Sequence, residues 1–140
     1  MRIEFYYLPK SINLDFLKKV IGIVLREEKK IDSEINVIFL SKRQIEKLNF
    51  NYRKKQESTD VLSFKADNQF STEDRNYLGE LVVCFPYIKD NAKQFEQSLK
   101  KELASVLIHG VLHLLGYNHE IRGKDSKIMM AKQEKYLLII

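Results

Sequence analysis

Among its 140 residues the chain has no tryptophan, two prolines, five glycines and one cysteine. So little proline and glycine excludes collagen-like and linker-rich chains, which depend on them. A lone cysteine, Cys84, cannot form an internal disulfide, so the fold must rest on a packed core. The same scarcity fits a reducing compartment, the cytoplasm. Cys84 itself reads as a small buried hydrophobe in a strand. Long apolar runs are also missing. The richest, Leu103 to Leu115, falls short of the roughly 20 residues needed to cross a bilayer, and it carries two histidines. The opening MRIEFYYLPKS lacks the apolar run and small-residue cleavage site of a secretory signal, so neither export nor a membrane partner is expected.

What is present suits a soluble folded chain: 44% hydrophobic and 31% charged residues, without repeats or low-complexity tracts. The length fits a single domain, residues 1–140. Lysine and arginine outnumber the acids 24 to 19, for a net charge of +5. That balance leans toward a polyanionic partner but by itself excludes little.

Alternation of Ile3, Phe5 and Tyr7 with Arg2, Glu4 and Tyr6 predicts a strand over Met1 to Tyr7. From Asn13 to about Lys29, apolar residues recur at helical spacing, and the closing REEKK reads as a solvated helix end. Ile35, Val37 and Phe39 mark a second strand. Ser41 with Gln44 forms a capping box for a short helix running to about Phe50. A third strand covers Asp60 to Phe64, a polar loop Ala66 to Asn76, and a fourth strand YLGELVVCF, after which Pro86 opens a helix. Ser98 caps a further helix that Gly116 stops after Leu115, and a last helix begins at Lys124. The pattern predicts an α+β fold, a small mixed sheet of about four strands packed with about five helices, and leaves strand order open.

All three histidines fall within HGVLHLLGYNH. On a helix, His109 and His113 project from one face a turn apart. A glycine three residues later can end the helix and turn the chain, bringing His119 to the same point. Three neutral imidazoles suit Zn²⁺ or a similar borderline metal and leave a fourth, open position, which is the mark of a catalytic site. The spacing is zincin-like: it matches the zinc-peptidase pattern H-E-x-x-H-x-x-G-x-x-H in its histidines and glycine. Peptide hydrolysis is nevertheless disfavoured, because Gly110 stands where that pattern has its general-base glutamate.

The same segment resembles the H-G-x-L-H-L-x-G-x-D-H signature of the YbeY family, metal-dependent endoribonucleases implicated in bacterial ribosomal RNA maturation. NYRKKQESTDVLSF is similar to that family's arginine-containing loop and T-[DN]-V-L-S-F strand, and LGELVVC to its L-G-[DE]-[ILV]-x-[IV]-x strand. The three motifs cover most of Asn49 to Glu120 in the right order. Asn118 replaces the usual aspartate before the third histidine, Lys65 the usual proline and Lys54 the usual glycine. An asparagine at 118 can orient by hydrogen bonds but cannot accept a proton as a carboxylate does.

The resemblance implies a single-strand-specific endoribonuclease of 16S ribosomal RNA processing and ribosome quality control. Its metal would be one Zn²⁺, or another divalent ion such as Ni²⁺, on His109, His113 and His119. Arg53 and His113 are the implied catalytic residues; a guanidinium can hold two phosphate oxygens while charge develops on them. Arg53, Lys54, Lys55 and Ser63 are the implied RNA contacts, and the partners are single-stranded RNA, ribosomal RNA and small-subunit proteins. A non-catalytic RNA-binding factor with a structural metal is the competing class. Phe50 and Tyr52 read as core residues before a strand, with base stacking as the alternative. Asp60, Glu80, Glu102 and Glu120 are the nearby acids, and the sequence does not choose a general base among them.

Overall fold

The computed structural model describes residues 1–53, 59–66, 76–117 and 123–140, without the Arg53 side chain. In chain order the elements are β1 (Arg2–Tyr6), α1 (Leu14–Glu27), β2 (Glu34–Phe39), α2 (Lys42–Arg53), β3 (Val61–Lys65), β4 (Tyr77–Val83), α3 (Phe85–Gln94), α4 (Leu99–Leu114) and α5 (Lys124–Ile139). Among the described residues four strands and five helices stand where the pattern predicts them, in an α+β arrangement. Local chemistry sets several boundaries. The Ser41 backbone N–H donates to Gln44 Oε1 at 3.0 Å and the Gln44 N–H returns a bond to Ser41 Oγ at 3.2 Å, the reciprocal pair of a capping box. Pro86 sits in the first turn of α3, where its missing N–H costs nothing.

The sheet order is β1-β2-β4-β3, with β1, β2 and β4 parallel and β3 antiparallel to β4. One register irregularity lies between β2 and β4, where Glu34 pairs with Tyr77 but Ile35 with Gly79. Gly79 has φ +133°, and a Cβ there would stand 2.1 Å from the Phe64 carbonyl oxygen, so only glycine fits.

Period-two alternation gives the sheet two unlike faces. Ile35, Val37, Leu81 and Val83 point toward α1 and α4 and join the large core. Leu62, Val82 and Cys84 point the other way and pack with Ile45 of α2 in a smaller cluster. Burying each such aliphatic side chain contributes about 1.5–3 kcal/mol. Cys84 is fully buried as expected, but it is the N-cap of α3 and not a strand residue, since β4 ends at Val83 and Phe85 already opens the helix; burial pushes its thiol above the ordinary range. Among the described residues no helix is long and apolar enough to cross a membrane.

Candidate metal centre

Helix α4 starts at Ser98, whose Oγ accepts from the Lys101 N–H at 3.1 Å. It is buried on nearly every side. The exception from Glu102 onward is a half-buried polar seam, Glu102, Ser105, His109 and His113, whose spacings of three and four residues keep them on one face. The apolar remainder, including Val106, Leu107, Ile108, Val111 and Leu112, belongs to the core.

The two histidines meet as their spacing predicts. Their Nε2 atoms are 3.1 Å apart and the rings stand at 78° to each other. Two nitrogens bound to one tetrahedral zinc, each about 2.0–2.1 Å from it, would lie about 3.3 Å apart. The pair therefore fits two ligands of a single ion with little adjustment. His109 Nδ1 is engaged on its other side, 3.1 Å from Gln133 Oε1. Gln133 in turn donates from Nε2 to Ser105 Oγ at 3.1 Å. With its amide NH₂ turned to Ser105, Gln133 offers His109 an oxygen, so Nδ1 carries the proton and Nε2 keeps its lone pair toward His113.

Beyond His113 the helix stops in a Schellman turn. Gly116, at φ +106°, donates to the His113 carbonyl at 3.0 Å, and Tyr117 donates to that of Leu112 at 3.1 Å. The Tyr117 hydroxyl donates to Glu28 Oε1 at 2.6 Å, anchoring the last described residue before Asn118 and His119. Glu28 belongs to REEKK, whose other four residues, Arg26, Glu27, Lys29 and Lys30, are exposed as expected of a solvated helix end; Glu28 is the exception. The Glu28 side chain is 8% exposed and takes bonds from Tyr117, Lys132 and Tyr136.

His119, Asn118, Glu120, Lys54 and Lys55 lie outside the described residues. Among the described residues no three His, Cys, Asp or Glu side chains converge as a metal set, and His109 with His113 supplies two. Arg53 is the last residue of α2, which runs three residues past the predicted end. Ser63 faces α4, and its Oγ donates to the Gly110 carbonyl at 3.2 Å. At Gly110 the helix comes close to the sheet: a Cβ would stand 2.9 Å from Leu81 Cδ2 and 3.4 Å from Val61 Cγ2. The glutamate of a zinc peptidase has no room there.

Of the candidate acids, Asp60 and Glu102 come near the seam. Burial raises the Asp60 carboxyl above its usual range, opposed by His109 and by donors from its own and the Val61 backbone and from Thr59. Burial and then the Asp60 charge raise Glu102. Glu80 pairs with Asn36 and Phe64, on the sheet face turned away from α4. Phe50 and Tyr52 are not core residues: they are 44% and 68% exposed, and Tyr52 lies edge-on to Phe64 at 5.3 Å. Helix α2 buries Ile45 and partly buries Leu48; the helical period turns Phe50 away from that stripe, whereas Tyr52, four residues past Leu48, is in line with it but lies near the end of the helix, against Phe64.

Sequence reasoning missed Gln133 and Glu28. A glutamine on the buried stripe of α5, between Met129 and Tyr136, was the only local signal for the first.

A family model described as Endoribonuclease YbeY matches residues 7–140. Curated proteins of that name are similar over most of the chain. One from Thermotoga petrophila is 38% identical over 123 residues, 88% of this chain and 72% of that protein. One from Sulfurihydrogenibium is 36% identical, covering 90% and 82%. One from Finegoldia magna is 34% identical, covering 98% and 88%. A solution structure of a Thermotoga maritima protein is similar in fold, with TM-score 0.63 at 36% identity over 96% of this chain and 86% of that one.

Proposed function

The chain belongs to the YbeY endoribonuclease family, and from that premise we propose that it hydrolyses phosphodiester bonds of single-stranded RNA at a site built on His109, His113 and His119. The single observation that carries this reading is the 3.1 Å approach of the two Nε2 atoms on α4, with His109 held by Gln133 so that its lone pair faces His113. His119, three residues past the glycine turn, would complete the set, holding Zn²⁺ or a related divalent ion such as Ni²⁺. A bound ion there would supply a Lewis acid for a phosphoryl oxygen and lower the pKa of water toward neutrality.

The protein's own groups divide the remaining work. Arg53, at the end of α2, would clamp phosphate oxygens through its guanidinium and favour the charge that develops during cleavage. Lys54 and Lys55, next along the chain, would add affinity for flanking phosphates that weakens with salt. Ser63 lies on the strand beneath α4 and would help line the floor of the RNA site. The physiological role this supports is maturation of ribosomal RNA, 16S processing included, and ribosome quality control in the cytoplasm, with small-subunit proteins as partners.

The test is cleavage of a single-stranded RNA by zinc-loaded protein, beside His113→Ala and Arg53→Ala. Loss of cleavage in both variants, with RNA binding kept in His113→Ala, is the expected result. Cleavage undiminished in His113→Ala would refute the site. RNA binding with no turnover by any metal-loaded preparation would favour the non-catalytic factor.

A further inference from the structure

Helix α5 lies outside all three sequence motifs, yet its Gln133 side chain reaches His109 on α4. Met129, Gln133 and Tyr136 lie along one stripe of α5, at spacings of four and three, and Met129 and Tyr136 are buried in the core. Docking of these two neighbours fixes where Gln133 sits. Two contacts then fix its orientation: the amide nitrogen is 3.1 Å from Ser105 Oγ and 3.5 Å from the Ser105 carbonyl. The serine carbonyl can only accept, so the NH₂ end must face it and the Oε1 end must face His109 Nδ1.

Resting on the metal-site reading above, we infer that Gln133 is a positioning residue for metal binding, locking His109 in the Nδ1-protonated tautomer with Nε2 presented beside His113. Without an acceptor at 133 the Nδ1 proton loses the oxygen that holds it, and a neutral His109 can carry its proton on Nε2 instead. That proton shift removes the lone pair from the position that the Nε2–Nε2 geometry requires. Ser105 acts one step further back, by preventing the glutamine amide from flipping and offering an N–H in place of its oxygen. Outer partners of ligating histidines are typically worth about 10–100-fold in metal affinity.

The experiment is zinc affinity by competition with a chromophoric chelator, together with long-range ¹H–¹⁵N spectra of the histidine rings and the thermal midpoint, all on full-length protein. Gln133→Leu removes the acceptor at similar size; it is expected to weaken zinc about 10–100-fold and to replace the single Nδ1–H signature of His109 by a tautomer mixture. Gln133→Glu keeps an oxygen toward Nδ1 and is expected to restore both the affinity and the signature, which guards against a Leu variant that folds poorly. Zinc affinity within twofold of wild type in a folded Gln133→Leu protein overturns the inference, as does equal weakening in Gln133→Leu and Gln133→Glu. His113→Ala separates this from the underlying reading. If that variant binds zinc like wild type the histidine site itself is wrong, whereas if it loses zinc while Gln133→Leu does not, only the role of Gln133 falls.

Discussion

The Tyr117 hydroxyl donates to the Glu28 carboxylate at 2.6 Å, across 89 residues of sequence, and so ties the turn that ends α4 to the C-cap of α1. Lys132 Nζ lies 2.7 Å from the other carboxylate oxygen, which also accepts from Tyr136. One buried acid thus collects donors from the α4 turn and from α5. Glu28→Ala would leave two phenols and an ammonium without their acceptor, at a cost of about 2–3 kcal/mol. Urea unfolding at pH 7 measures it, and a loss below about 0.5 kcal/mol, the ordinary scale of a surface change, would contradict the geometry.

The same cluster shapes the pH dependence of stability. Burial alone would push the Glu28 carboxyl up, but the bonds from Lys132, Tyr117 and Tyr136 outweigh it and hold the group below its ordinary value. The unfolded chain then takes up the proton first, near pH ~4.3. Glu28's contribution is complete above that value and disappears as pH falls through the lower folded value. At the other end, Tyr136 is pushed up to about 12, by burial and by Glu28, and Lys132 is raised by Glu28. Both contributions are complete below the unfolded values near ~10 and are lost as pH rises past them. Urea midpoints should therefore fall on both sides of a plateau, and the fall should be shallower on the acid side in Glu28→Ala.

Gly110 is expected to resist any side chain. In Gly110→Ala the new methyl meets the buried Leu81, costing about 1–3 kcal/mol, and Leu81→Val in the same chain should recover part of that. Gly110→Glu, which restores the peptidase-like H-E-x-x-H, should yield little folded protein and no caseinolysis. Proteolysis by a well-folded Gly110→Glu variant would show that the helix can leave the sheet.

Ser63 offers a choice between two roles. Its Oγ bond to the Gly110 carbonyl docks β3 on α4, so Ser63→Ala should cost about 1 kcal/mol of stability. If the hydroxyl contacts RNA as well, affinity for a single-stranded oligonucleotide should fall in parallel; affinity unchanged in the presence of that stability loss would assign Ser63 to docking alone.

Tyr52 is 68% exposed, in T-shaped contact with Phe64, and its exposed ring is available to a base. Tyr52→Ala should leave the urea midpoint nearly unchanged while weakening single-stranded RNA binding by about 1–3 kcal/mol, the usual worth of one base–aromatic stack. Fluorescence anisotropy at fixed salt reads this directly, and equal affinities would remove Tyr52 from the RNA surface.

The nine elements of the described residues were legible in the sequence, because hydrophobic period, the Ser41–Gln44 box, the Ser98 cap and Gly116 act within a few residues of where they are written. The pairing of His109 with His113 was legible for the same reason, since helical spacing alone puts them on one face. Tertiary structure decided what depends on distant chain: the order β1-β2-β4-β3, the lack of room at Gly110, and the exposure of Phe50 and Tyr52. It also recruited Gln133 to a histidine 24 residues away and Glu28 to a tyrosine 89 residues away. Local patterns record which face of an element is apolar, but which polar group meets which is set only when those faces dock.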